Sequence, residues 1–504
     1  MLQPDSMKLT KQARLWLMGG LVLASEGLYL ALLRLNAING LRPVLSFLGL
    51  LAALFVLYAL AFRLARTPGD SSRGMLLLIA AGAVLFRLTL LPAGLPHDAG
   101  FRELCSDIRA DLRGERVSFE RFQLFDDDIW RYLWDGHVWA HGGNPYAFAP
   151  ANAAVDAFAD EDRPELSDQR AIWSDIRGNI PNPDVNTIYP PLGQVVFRLA
   201  HFIAPGSVLA LKSVLVLFDL LGGLFLALAL AAAGRPVTWV LLYVWNPLVV
   251  KVFAASGHSD AIAVAAVAAL AYCLLRRAKV AAGLSFALAV LAKLIPIVLL
   301  PFVARRIGWR NSLFALMIIL AAYVPFLGAG RSLFAGTSTY AHFWRFNSGP
   351  FELLNWLASG LGTQASRDVR LLMLFIFASV LAWLTWRDSG AVESFAPHAA
   401  AALGILIVLS PAVMPWYITV VIPLAILSGQ RIWIWFSAIV CCAFFIMVDQ
   451  REHAWALCLE YGLFAAPLCY HYYSAYRSKT RSRQPEAPFV AALGTGARSF
   501  PSRE

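Results

Sequence analysis

The sequence predicts an all-α polytopic membrane protein, and two properties of its composition carry that prediction. Hydrophobic residues occupy 59% of the 504 positions and charged residues only 15%. A soluble domain carries roughly 25% charged residues, so this chain has too few to cover its surface with polar groups. A soluble enzyme, a nucleic-acid binder and a disordered protein are therefore excluded.

Apolar runs long enough to cross a bilayer recur along the chain. A helix needs about 20 apolar residues to cross roughly 30 Å of hydrocarbon. The basic residues before the first run are not followed by a small-residue cleavage site, which predicts a retained span and not a signal peptide. The predicted twelve spans lie at about 15–34, 44–63, 75–93, 207–232, 237–255, 260–275, 311–329, 369–386, 395–411, 414–429, 432–448 and 454–471.

The distribution of charge predicts how these spans are oriented. Residues 97–190 contain 18 acidic and 9 basic side chains, whereas the rest of the chain contains 33 basic and 14 acidic ones. Short loops rich in Lys and Arg remain in the cytoplasm. Alternating the spans from a cytoplasmic N-terminus places the acidic segment 94–206 and the loop 330–366 outside. We therefore expect a multi-pass protein of the inner (plasma) membrane with both termini in the cytoplasm.

Two apolar segments are not expected to cross fully. Residues 280–304 have basic residues at both ends, which predicts a re-entrant hairpin that enters and leaves from the cytoplasm. Lys293 in this hairpin is expected deep on the cytoplasmic side, where a carbonyl or Asp219 would pair with it. Residues 191–204 are too short to cross and are expected at the interface. The predicted units are three spans in 1–93, the external loop 94–206, the transmembrane core 207–477 and a disordered cytoplasmic tail 478–504.

The acidic external loop contains the densest set of side chains that could act in catalysis, beginning with Asp126, Asp127 and Asp128. The apolar residues that follow have helical spacing, and their aromatic rings suit a membrane interface. This pattern predicts an interfacial helix whose N-terminus favours carboxylates, with Arg131 three residues beyond Asp128 and Asp135 on the same face. An ionised carboxylate at an interface suits a general base, and an acidic helix cap is the alternative.

The run DDDIWRYLWDGHVWAHGGNPYAFAP resembles the signature of bacterial integral-membrane glycosyltransferases of the GT-C superfamily. The resemblance is to the branch related to polyprenol-phosphate-mannose-dependent mannosyltransferases, and it covers about residues 80–470. A further stretch, SPAVMPWYITVVIPL, departs from the pattern because Met414 stands where the branch has His. Four other stretches resemble the branch in the same order, namely TIYPPLGQVVF, WNPLVVKVFAASGHSDAIAV, LAKLIPIVLLP and TYAHFWRFNSGPFELL.

The resemblance implies a GT-C-like fold and a reaction. Such enzymes take a sugar from a polyprenyl phosphate on the outer face and transfer it with inversion to an acceptor hydroxyl. Their base is an Asp in the first large external loop, which corresponds to Asp127 or Asp128 here. We favour Asp128, which directly precedes the Ile-Trp-Arg-Tyr run, and expect Asp126 to be a cap. Mannose is the family-typical sugar, and the acceptor (lipid, glycan or protein) stays open.

A lipid-phosphate donor requires cations and hydrogen-bond donors near the membrane surface. Charged side chains in apolar segments are functional candidates because they are costly to bury. For Arg345 the alternative is an ion pair with Glu352, for His258 a satisfied hydrogen bond, and for Tyr189 a simple turn. The candidates for donor-phosphate or substrate binding are Arg131, His258, Arg345, His342, Tyr189 and Lys293.

No metal site is predicted, because the six cysteines lack zinc-site spacing. The Asp126–Asp128 cluster nevertheless has the oxygen ligands that a divalent cation prefers. A transporter or flippase of a lipid-linked sugar is the main alternative function, and a non-catalytic scaffold is another. A transporter predicts repeat symmetry and mid-bilayer charges, whereas here the acids concentrate in one external loop. The expected partners are the lipid-linked donor, its acceptor and the bilayer, without nucleic acid.

Overall fold

The computed structural model describes residues 10–35, 41–66, 73–95, 101–115, 126–159, 167–361, 365–448 and 454–481. In these ranges the chain is helical, and the one bridge between extended residues joins Phe346 to Ala412. The helices of the first half are α1 (Lys11–Leu33), α2 (Leu41–Ala65), α3 (Arg73–Leu90), α4 (Phe101–Leu112), α5 (Ile129–Ala140), α6 (Ser167–Gly178), α7 (Pro191–Ile203), α8 (Val208–Ala232), α9 (Leu241–Val244), α10 (Pro247–Val250), α11 (Asp260–Leu275) and α12 (Lys279–Ala292).

The second half continues the helical pattern to the end of the described chain. Of the predicted tail 478–504, residues 478–481 continue the last helix and the rest lies outside the described residues. The helices are α13 (Leu300–Ile307), α14 (Trp309–Tyr323), α15 (Ala335–Phe343), α16 (Gly349–Ala358), α17 (Ala365–Arg387), α18 (Val392–Leu409), α19 (Ile422–Ser428), α20 (Arg431–Ile439), α21 (Ala443–Val448) and α22 (Ala454–Arg481).

The all-α polytopic architecture is confirmed, whereas the count of twelve spans stays a prediction. Among the described residues seven helices are long and apolar enough to cross a membrane, and an eighth span is possible if the pair Val237–Val244 and Pro247–Ala255, bent by 56°, forms one. Several predicted spans correspond to shorter apolar helices. The seven are Lys11–Leu33, Pro43–Ala65, Arg73–Leu90, Val208–Ala232, Trp309–Phe343, Ala365–Arg387 and Val392–Leu409.

The segment that follows α11 has the shape of the predicted hairpin. Lys279, which begins α12, and Arg305, near the end of α13, line the same cavity, so both ends of the hairpin lie at one end of the bundle. Its turn lies at the opposite end, where Lys293 reaches Asp260 at the start of α11. The prediction that Lys293 lies on the same side as the basic ends of the hairpin is therefore wrong. The helix α12 packs against α11 and carries Lys293 away from that end.

A buried ion pair joins α3 to α8 in the apolar core. Arg87 Nε lies 2.5 Å from Asp219 Oδ2, and both side chains are shielded from solvent. Arg87 also donates to the carbonyl oxygens of Ala83 and Val244, and the Tyr243 hydroxyl donates to the other Asp219 oxygen. Asp219 is thus the partner of Arg87, and the alternative that it pairs with Lys293 is wrong.

The helix α5 begins where the sequence predicts, but its environment differs. Every residue from Ile129 to Val138 is buried, so the prediction that the aromatic rings of this helix form an exposed interfacial belt is wrong, and its place at the membrane interface stays a prediction. The rings face neighbouring helices: Tyr132 stacks on Phe197 of α7 at a centroid distance of 4.6 Å. A Cβ at Gly136 would lie 2.5 Å from the Phe197 carbonyl oxygen, so the two helix backbones touch there.

The short helix α7 has the character expected of an interfacial helix. One face packs against α5 through Phe197 and Ala200, which are buried. Its opposite face leaves Leu199, Phe202 and Ile203 half exposed or more. A helix that lies at a membrane surface has an exposed apolar stripe of this kind, and the location of the 13-residue helix at that surface stays a prediction.

Candidate active site

Three segments far apart in the sequence meet at the N-terminus of α5. They are the aspartate run before α5, the turn between residues 255 and 260, and the tip of the hairpin at Lys293. Gly257 makes the turn possible with φ +71°, a left-handed conformation that side chains with a Cβ rarely adopt. A Cβ there would also lie 2.7 Å from Ile129 Cδ1, so the glycine allows the turn to press against α5.

Asp126 is the buried anion of the cluster. The imidazole of His258 hydrogen-bonds its Oδ2 through Nε2, and Lys251 Nζ lies 3.9 Å from the same oxygen. Burial alone would raise the pKa of Asp126, but His258 and Lys251 outweigh it and hold that pKa below the ordinary value. The prediction that Asp126 acts as a helix cap is wrong, because its contact with the Asp128 amide is 3.5 Å long and the His258 pairing dominates.

Asp128 is the accessible carboxylate of the cluster, with 28% of its side chain exposed. Its Oδ2 lies 3.6 Å from His258 Nδ1 and accepts a long hydrogen bond of 3.5 Å from the Tyr132 hydroxyl. Its pKa is raised to about 6 by partial burial and by the charges of Asp126 and Asp260, against the opposing effect of His258. Asp128 is therefore ionised above about pH 6 and has an oxygen open to a substrate.

The hairpin tip contributes a cation beside these carboxylates. Lys293 forms an ion pair with Asp260, and its Nζ lies 3.9 Å from the centroid of the Tyr417 ring. The Tyr417 hydroxyl in turn lies 2.5 Å from that of Tyr340 in α15. Lys293 keeps 19% of its side chain exposed, so this cation remains within reach of an anionic ligand.

One face of the His258 ring packs against the indole of Trp416. Its ring stacks on Trp416 with centroids 3.8 Å apart and an angle of 25° between the planes. The Pro-Trp-Tyr stretch, which departs from the expected pattern at Met414, therefore still supplies Trp416 and Tyr417 to the site. Stacking restrains the imidazole in the orientation in which Nε2 faces Asp126 and Nδ1 faces Asp128.

Two of the predicted binding residues lie next to the cluster without entering it. Arg131 donates to Asp135 at 2.8 Å and to the Val185 carbonyl at 2.8 Å, so its carboxylate partner on the helix is Asp135 and not Asp128. At i,i+4 on α5, Asp135 is the nearer helical neighbour. Tyr189 packs edge-on against Tyr132 with ring centroids 4.8 Å apart, which places it one ring away from Asp128.

The remaining predicted binding residues lie on the segment 335–352. Arg345 forms a two-point ion pair with Glu352, at 3.0 and 2.5 Å, which is the alternative named for it from the sequence. His342 is exposed, and its Nδ1 bonds the Ser338 carbonyl at 2.8 Å. Tyr340 of this segment therefore reaches the cluster through the contact of its hydroxyl with that of Tyr417, whereas Arg345 and His342 have other partners. Asp127 is half-buried, and its role as base stays a prediction.

A divalent cation would find suitable ligands in this cluster. Asp126, Asp128 and His258 each place one ligand atom within 4.8 Å of the others. Two carboxylate oxygens and an imidazole nitrogen suit cations such as Mn²⁺ or Zn²⁺. The sequence offers carboxylate oxygens for a divalent cation at Asp126–Asp128, and the structure adds His258 to these ligands.

Sequence reasoning missed three contributors to the site. Lys251, Trp416 and Tyr340 were not singled out, although Lys251 is a lysine in an otherwise apolar run, and such residues are functional candidates. The other two had no local signal, because aromatic residues are common throughout this chain. Their proximity to Asp128 arises from the packing of helices distant in the sequence.

Comparison with known proteins gives one family match. Residues 122–308 match the family model described as alpha-(1->6)-mannopyranosyltransferase, N-terminal domain. The matched range contains Asp126, Asp128, His258 and Lys293. No curated protein and no solved structure matches the chain. The family match confirms the resemblance to the mannosyltransferase branch of GT-C enzymes and supports a membrane mannosyltransferase.

Proposed function

We propose that this protein transfers mannose from polyprenyl-phosphate-mannose to an acceptor hydroxyl at the outer face of the inner membrane, with Asp128 as the general base. One observation carries the proposal. Of the three carboxylates in the cluster, Asp126 is paired with His258 and Asp260 with Lys293, whereas Asp128 makes only long contacts and is partly exposed. A base must be ionised and open to the hydroxyl that it deprotonates.

The proposed reaction is a single displacement at the anomeric carbon. Asp128 accepts the proton of the acceptor hydroxyl while the acceptor oxygen bonds to the anomeric carbon. The bond from that carbon to the phosphate oxygen breaks, and the polyprenyl phosphate leaves with the electron pair. Attack opposite the leaving group inverts the configuration of the sugar. General-base catalysis of this kind contributes about 10²–10⁴-fold to a rate.

Lys293 is the proposed contact of the leaving phosphate. A phosphate at a membrane surface is bound by cationic side chains through charge-assisted hydrogen bonds. Lys293 is paired with Asp260 and lies close enough to Asp128 to lower the pKa of that carboxyl. Its charge therefore lies near the place where the leaving group would develop negative charge. His258 is proposed as a positioning residue that holds Asp126 and Asp128 in place. Arg345 and His342 remain proposed substrate contacts from the sequence.

The donor is tested with purified protein in detergent. Radiolabelled polyprenyl-phosphate-mannose is incubated with the protein and a membrane lipid extract, and label in the extract is measured. We expect transfer from this donor and an anomeric configuration in the product opposite to that of the donor. Transfer only from polyprenyl-phosphate glucose or arabinose would overturn the choice of mannose. Transfer only from a nucleotide sugar would overturn the lipid-linked donor.

Two substitutions beside Asp128 should move the pH profile in opposite directions. Catalysis requires ionised Asp128, so the rate should rise with pH through a pKa of about 6. Asp126 raises that pKa and His258 lowers it. The acidic limb of kcat/KM against pH should therefore move to lower pH in Asp126→Asn and to higher pH in His258→Gln. Shifts in the same direction, or limbs identical to wild type in both variants, would contradict this assignment.

A further inference from the structure

A second cluster of titratable side chains lies at the opposite end of α5. His137 and His141 are four residues apart and share one face of the helix, and His201 near the end of α7 faces them. The ring centroids of His137 and His141 are 4.3 Å apart, and each lies 5.3 Å from that of His201. Each ring offers one nitrogen within 4.8 Å of the others.

The hydrogen bonds of these rings decide which nitrogens carry lone pairs. His137 Nε2 lies 2.8 Å from the Phe158 carbonyl oxygen, and a carbonyl only accepts, so Nε2 carries the proton and Nδ1 the lone pair. His141 Nδ1 lies 2.9 Å from the His137 carbonyl oxygen, which leaves the lone pair on Nε2. Donation from one ring nitrogen to a carbonyl is the arrangement that orients a histidine for binding a metal through the other.

Two of the ring nitrogens are buried without a hydrogen-bond partner in the part of the chain that the structure describes. They are Nδ1 of His137 and Nδ1 of His201. The side chain of His137 is only 1% exposed, so water does not reach this nitrogen freely. A buried polar atom without a partner costs roughly 1–3 kcal/mol. The cost disappears if the nitrogen coordinates an ion.

The surroundings keep these rings in the form that binds metals. Burial lowers the pKa of His137 to about 3 and that of His201 to about 4, so both are neutral near pH 7. Trp173 of α6 stacks on His137 with centroids 3.6 Å apart. The charge of Arg198 also acts on His201, and the guanidinium of Arg198 lies 4.7 Å from the centroid of the Trp139 ring. Simple aromatic packing would explain the stacking but not the two unpartnered nitrogens.

We propose that His137, His141 and His201 bind one divalent transition-metal ion, zinc by ligand type, which ties the end of α5 to the end of α7. Three neutral imidazoles suit Zn²⁺, with a fourth position for water or another ligand. The exposed His141 gives the ion a path from solvent. Asp128 lies nine residues before His137, about 13 Å along the helix axis, so this site is separate from the candidate active site.

The site is tested by metal analysis of purified protein with a tag that contains no histidine. The protein is stripped with a chelator, equilibrated with zinc, freed of excess metal and measured by mass spectrometry of the metal. We expect about one ion per chain in wild type and a content near zero in His141→Ala and in His201→Ala. Zinc should also raise the Tm of the stripped wild-type protein and leave that of His141→Ala unchanged.

Matched variants separate this site from other metal binding. His342 is also exposed and also bonds the carbonyl four residues earlier, so His342→Ala should retain the ion. Asp128→Asn should retain it too, which distinguishes this cluster from the one at Asp126, Asp128 and His258. Wild-type protein that holds no zinc would overturn the proposal. Equal loss in His342→Ala, or loss in Asp128→Asn with retention in His141→Ala, would overturn it as well.

Discussion

Replacing Asp128 by Asn should reduce mannosyl transfer by about 10²–10⁴-fold, the contribution of a positioned general base. Asparagine has nearly the same shape as aspartate, but its neutral amide cannot take the proton from the hydroxyl of the sugar acceptor. The fold should be unaffected, because the contacts of Asp128 with Tyr132 and His258 are long, at 3.5 and 3.6 Å. The measurement is the initial rate of label transfer from polyprenyl-phosphate-mannose, with elution from a size-exclusion column as the check on folding.

Two further variants make this result specific. Asp184 is an exposed carboxylate in the same segment, and Asp184→Asn should transfer at the wild-type rate. Asp127→Asn tests the second candidate base, and we expect it to retain more activity than Asp128→Asn. Wild-type activity in Asp128→Asn with loss in Asp127→Asn would move the role of base to Asp127. Full activity in both variants would contradict both Asp127 and Asp128 as the base.

Replacing Arg87 by Met should destabilise the protein by about 3–5 kcal/mol, the cost of leaving a buried charge without its partner. Asp219 would keep its hydrogen bond from Tyr243 but lose the guanidinium 2.5 Å away. Both side chains lie in the apolar core between α3 and α8, where water does not compensate the carboxylate. The measurement is the temperature at which half of the detergent-solubilised protein leaves the monodisperse fraction, compared with wild type.

A rescue and a surface pair serve as controls for that effect. Adding Asp219→Leu to Arg87→Met removes the uncompensated charge and should recover much of the lost stability. Arg113 and Glu115 form an ion pair 3.8 Å apart with more than half of each side chain exposed, so Arg113→Met should change stability by less than about 1 kcal/mol. Unchanged stability in Arg87→Met, or no recovery in the double variant, would contradict a role for the pair in the core.

Several features could be predicted from the sequence because local patterns encode them. Composition and the length of apolar runs establish a helical membrane protein, since the bilayer selects directly on hydropathy. Helix α5 begins directly after the aspartate run because the carboxylates lie at the end where a helix tolerates negative charge. The resemblance of the run at 126–150 to mannosyltransferases agrees with the family match over 122–308, because such motifs are contiguous in the chain.

The partners of the site residues were decided by the tertiary structure alone. Asp126 and His258 are 132 positions apart, and nothing in either segment indicates the other. Lys293 reaches Asp260 because α12 runs back along α11, a direction that the basic residues at the ends of the hairpin do not reveal. The burial of α5 likewise depends on α7 and its neighbours. Hydropathy is a property of each residue and can be calculated from the sequence. An ion pair between distant residues depends on the spatial positions of their helices, which only packing determines.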